Sequence, residues 1–69
     1  DIMNSIYDIQ QLLKRFGTFI YLGDRIADLE MMEMEIRELY RSNLIEMRDF
    51  QMAMMLLRKE IAIELSKKK

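Results

Sequence analysis

Three observations predict an all-α fold, a small three-helix domain in which a short N-terminal helix packs across an antiparallel helical hairpin. The 69 residues contain no proline and only two glycines, Gly17 and Gly23, so little interrupts a helix outside those two points. Apolar residues recur at three- and four-residue spacing through three separate windows, the period of a half-buried helix. The one β-prone stretch, residues 18–22, has no second strand to pair with.

The first helix is expected over about residues 5–16. Ser5 is a good N-cap, and Asp8 complements the unpaired N–H groups of the first turn. Ile6, Ile9, Leu13 and Phe16 share a face, with Leu12 at its margin. Lys14 and Arg15 suit the negative end of the helix, and Gly17 can take the left-handed conformation that closes it. Residues 18–22 then read as an extended or turn-like apolar connector lying over the helices, and Gly23 lets the chain turn.

The second helix is expected over about 24–41, from the strong N-cap Asp24. Ile26, Leu29, Met32, Ile36, Leu39 and Tyr40 form its core face, with Ala27, Met31 and Met34 on the opposite side. Glu33 and Arg37 are spaced for an ion pair across one turn. Arg25 and Asp28 are spaced for another. Ser42 and Asn43 end the helix, since Asn tolerates a left-handed backbone. Leu44 and Ile45 form a short hinge, which makes the second and third helices an antiparallel hairpin.

The third helix is expected over about 46–66. Its main face is Met47, Phe50, Ala53, Met54, Leu57, Ile61 and Leu65. A second apolar face carries Met52, Met55, Leu56, Ala62 and Ile63. A helix that is apolar on two sides needs two partners. Residues 67–69, all lysine, read as a frayed basic tail.

Size and composition bound the function. The chain is one domain over 1–69, with Asp1 and Ile2 preceding Met3, one candidate for a native start. Half its residues are hydrophobic and a third are charged, a globular composition. For so short a chain the gain from burial and the entropy of ordering nearly cancel, so a monomer is marginal and association would help. Cysteine and histidine are both absent, which removes disulfides, the common zinc ligands and the ordinary nucleophile–base pairs. No Gly-rich phosphate loop occurs. No enzyme activity and no cofactor are expected. The longest apolar run, Met52–Leu57, is far short of a membrane span, and no secretory leader is visible, so a cytoplasmic protein without a membrane partner is expected.

Four groups of residues could carry function. Eight methionines suit an adaptable contact surface. Met32, Met47 and Met54 read as core, whereas Met31, Met34, Met52, Met55, Leu56 and Ile63 are the candidates for an interface between copies. The competing reading is that the first helix covers the second face of the third and leaves Met31 and Met34 exposed. Lys14, Arg15, Phe16, Phe19, Tyr21 and Arg25 combine cations with aromatic rings, the needs of a single-stranded nucleic-acid binder. Lys14, Arg15, Tyr21 and Arg25 are the candidates there. Against it, the net charge is −1, and without the three terminal lysines eight basic residues face twelve acidic ones, a net of −4; a nucleic-acid binder usually has a basic surplus. The carboxylates Asp24, Asp28, Glu30, Glu33, Glu35 and Glu38 read as caps and a solvated face rather than a cation site. The basic tail reads as a solvated end rather than an anchor for an anionic surface.

Certain local runs also resemble a known family. These are Tyr7 and Asp8 with Gln10, Gln11, Leu12 and Leu13, then Gly17 and Thr18, Ile20 and Tyr21, and Gly23. They continue through the run from Arg25 to Glu30, Glu38 to Tyr40, Leu44 and Ile45, and Ala53, Met54, Leu57, Arg58 and Glu60. Over about residues 6–60 the chain resembles the YqgQ-like family of short bacterial proteins. It departs from the family pattern in the hinge, where Asn43 and Glu46 stand in place of a glycine and a capping serine. The resemblance implies a three-helix fold, a cytoplasmic setting and self-association. The second apolar face of the third helix and the marginal monomer lead to the expectation of a homodimer acting by protein contact. It leaves single-stranded RNA or DNA binding as the alternative.

Overall fold

In the computed structural model, residues 3–68 are described; Asp1, Ile2 and Lys69, and with them the question of a start at Met3, lie outside that range. The described residues form three helices: α1, Ile6–Arg15; α2, Arg25–Arg41; and α3, Met47–Ser66. Each begins and ends within a residue or two of its expected place. The domain measures 38 × 21 × 19 Å. It is a hairpin of α2 and α3, with α1 lying against both at one side.

Local chemistry explains the helix ends. The Ser5 hydroxyl accepts from the Asp8 N–H at 3.3 Å, and the Asp24 carboxylate accepts from the Ala27 N–H at 2.9 Å. Both satisfy a donor that the first turn leaves without a helical partner. At the end of α1 the Thr18 N–H bonds back to the Leu13 carbonyl and the Gly17 N–H to that of Lys14. Gly17 is left-handed, with φ +85°, and no atom lies within 4 Å of where a Cβ would stand. The glycine is therefore required by backbone conformation, not by crowding. The end of α2 repeats the pattern with asparagine: the Leu44 N–H bonds to the Leu39 carbonyl and Asn43 stands at φ 60°. Glu46, the N-cap of α3, makes no side-chain capping bond.

The core is nine buried side chains: Ile9, Leu12 and Leu13 from α1, Leu29, Met32 and Ile36 from α2, and Ala53, Met54 and Leu57 from α3. Tyr40 stacks on Phe50 near the hinge, with ring centroids 4.3 Å apart. At the other end of the hairpin Arg25 reaches Glu60 at 3.7 Å.

Several side chains stand elsewhere than expected. The ten residues of α1 span about 15 Å, half the length of α3. Met47 and Leu65, at the two ends of the main face of α3, are 57% and 53% exposed. Leu56, expected on the second face, instead packs against the core. Leu12 is buried rather than marginal, while Phe16, which follows the last turn of α1, is 41% exposed. Met31 is half-buried, leaving Met34 as the exposed methionine of α2. Lys67 pairs with Glu64 at 3.1 Å.

The hinge is the weakest-capped joint, and it can be improved. Asn43→Gly should stabilise the domain by about 0.5–1 kcal/mol by relieving a non-glycine left-handed backbone. Glu46→Ser should add about 0.5–1 kcal/mol by supplying the missing cap. Thermal unfolding followed by circular dichroism should show each as a rise of a few degrees, and the pair as close to their sum.

Candidate interaction surfaces

Apolar side chains exposed on α3 make one candidate surface. Met47, Met52, Met55, Ile63 and Leu65 are all exposed. α3 packs on α2 along one side and on α1 along another, and these side chains fall outside both contacts. Of the six residues expected at an interface, Met34, Met52, Met55 and Ile63 are solvent-exposed, Met31 is half-buried, and Leu56 is half-buried against the core. Met47 and Leu65 join this surface although periodicity assigns them to the core. Their terminal positions on the longest helix were the available signal.

The connector forms a second surface. Residues 18–22 have no regular structure and alternate about the chain: Ile20 packs on the core, while Phe19 and Tyr21 are 79% and 75% exposed. Asp28 holds this segment, its Oδ1 accepting from the Leu22 N–H at 2.6 Å. The expected Arg25–Asp28 pair is therefore replaced. Asp28 clasps the connector and Arg25 turns to Glu60, because the connector offers a backbone donor that no helix supplies.

The four expected nucleic-acid residues are spread out. Lys14 and Arg15 occupy the last turn of α1. Arg15 lies in an open cleft of about 470 Å³ with Phe16, Leu44, Glu46 and Asp49. Tyr21 projects from the connector, and Arg25 is engaged by Glu60. Acidic groups thus neighbour both arginines. Among the described residues no group of three or more carboxylates converges as a metal site, and no helix is long and apolar enough to cross a membrane.

These features define a small three-helix domain whose distinctive surfaces are an uncovered apolar side of a hairpin and an aromatic connector. Among known proteins, the YqgQ-like family model matches residues 3–63. A protein of Bacillus subtilis (strain 168), titled "Uncharacterized protein YqgQ", is 48% identical over 59 residues, which cover 86% of this chain and 83% of that protein. The chain belongs to the YqgQ-like family.

Asp28 gives the connector a specific test. Asp28→Ala should cost about 1–2 kcal/mol, in the range for a hydrogen bond to a charged group. Amide exchange at Leu22 should accelerate well beyond that at Leu29 in the core. Equal acceleration at both positions would mean that Asp28 supports the whole fold and not the connector.

Proposed function

We propose that this chain is a non-enzymatic helical protein of the bacterial cytoplasm that acts by protein contact and self-association. The observation that carries this reading is the run of exposed apolar side chains along α3: Met47, Met52, Met55, Ile63 and Leu65. Contiguous exposed apolar surface is a liability unless a partner covers it. Methionines suit such a contact because they repack at small cost.

Sedimentation between about 1 and 100 µM should show a concentration-dependent monomer–dimer equilibrium. A monomer throughout argues against the reading. Met52→Glu with Met55→Glu should weaken association about tenfold or more and leave the helical signal unchanged. Leu56→Glu, in contrast, should unfold the domain, because it sets a carboxylate against the core.

Single-stranded nucleic-acid binding is the second reading, favoured by the two exposed rings Phe19 and Tyr21 on the connector. Rings set two residues apart on an extended segment can stack on successive bases. The cations assigned to it, Lys14, Arg15 and Arg25, would have to supply the phosphate contacts. Fluorescence anisotropy with mixed single strands decides it: binding at about 50 mM salt that falls steeply by about 200 mM, and is lost in Tyr21→Ala, supports the reading. No binding at the lower salt removes it.

A further inference from the structure

The backbone of the connector carries a contact of its own, apart from the apolar side chains of α3. The inference drawn from it rests on the self-association reading. Residues 18–22 run Thr-Phe-Ile-Tyr-Leu, a β-branched and aromatic composition that favours a strand. Their side chains alternate as in a strand: Ile20 packs on the core, while Phe19 and Tyr21 are exposed. Among the described residues no strand stands beside this segment.

Hydrogen bonds fix which edge of the segment is open. The Leu22 N–H donates to the Asp28 carboxylate of α2. A trans peptide aims its carbonyl opposite to its N–H, so the Tyr21 carbonyl faces away from that carboxylate. In an extended chain the N–H and C=O of one residue share an edge, and so do those of the residue two places along. The Tyr21 N–H and both main-chain groups of Phe19 therefore lie on the same outward edge. Among the described residues none of these four groups makes a hydrogen bond. Such a row of unpaired donors and acceptors is a template for another extended chain.

We propose that the chain it pairs with is the same segment of a second copy, antiparallel about a twofold axis at Ile20. The segment is symmetric about that residue. Phe19 and Tyr21 flank it, and Gly17 and Gly23, both left-handed with φ +85° and +83°, end the stretch three residues away on either side. Pairing about Ile20 sets Phe19 opposite Tyr21 of the partner subunit, and Tyr21 opposite the partner's Phe19. Each pair exchanges two hydrogen bonds, which satisfies all four groups on both edges. It also makes two cross-strand aromatic pairs. Sliding the register by two residues leaves one aromatic pair and sets the remaining rings against glycine. A peptide of other sequence could match the hydrogen bonds, but not this symmetry. No charge lies within residues 18–22 to oppose the approach. Two five-residue strands form a small ribbon, so the dimer is weak and concentration-dependent.

Amide exchange on the full chain, followed by NMR from about 50 µM to about 1 mM beside sedimentation, reads this edge directly. The Phe19 and Tyr21 N–H groups should gain about tenfold protection or more as concentration rises. The Ile20 N–H, on the other edge, should change by about twofold or less. Tyr21→Pro deletes one donor from each copy's edge and should raise the dissociation constant about tenfold or more. Tyr21→Val keeps the N–H and the strand preference and should stay within about fivefold of the parent. Circular dichroism checks that both variants are folded. If the chain associates while Phe19 and Tyr21 exchange at a rate independent of concentration, the connector is not the contact, although self-association stands. Protection of Ile20 in place of its neighbours, or a Tyr21→Pro dimer as tight as that of Tyr21→Val, also overturns the proposed pairing. A chain that stays monomeric at about 1 mM removes both this contact and the broader reading.

Discussion

The packing of α1 against one side of the α2–α3 hairpin is the contact on which the rest of this molecule depends. It supplies Ile9, Leu12 and Leu13, three of the nine buried core residues. An isolated pair of helices this short would bury too little to hold together, so α1 is essential for a core. Yet α1 is half the length of α3, and a helix cannot shield what it does not reach. The same contact that completes the core thus decides which apolar residues stay outside it. Leu56 is drawn in, while Met47 and Leu65 are left at the ends.

The connector makes this arrangement feasible. A chain leaving α1 must cross to the start of α2 without stranding backbone donors. Gly17 turns it by adopting a left-handed backbone, Ile20 anchors it on the core, and the Asp28 carboxylate takes up the Leu22 N–H. Phe19 and Tyr21 are exposed as a consequence of alternation: once Ile20 points inward, its neighbours point outward. Their display can be read as the by-product of anchoring or as a stacking platform, and the geometry is the same for both.

Charge distribution separates one apolar surface from another. Apolar area alone does not specify a partner, because burial is non-directional. The polar rim supplies direction. On α3 the exposed charges are basic and the acids are half-buried. On α2, Arg37 pairs with Glu33 at 3.0 Å, so acid and base share one edge.

How much was legible in the sequence depends on which residues answer to local physics. Helix positions, the Ser5 and Asp24 caps, the left-handed Gly17 and Asn43 and the Glu33–Arg37 pair all depend on neighbours within a few residues, and the order of residues determined them. So did the surplus of apolar surface on α3, since periodicity counts it before any partner is known. Only the tertiary structure decided where that surplus lies. Leu56, Met47, Leu65, Phe16 and Met31 stand elsewhere than their spacing implies because burial depends on where the other two helices lie, which helical period does not encode. The exchange of the Arg25–Asp28 pair for Arg25–Glu60 and a clasp on Leu22 has the same origin: partners distant in the chain outcompete a partner one turn away once folding brings them within reach.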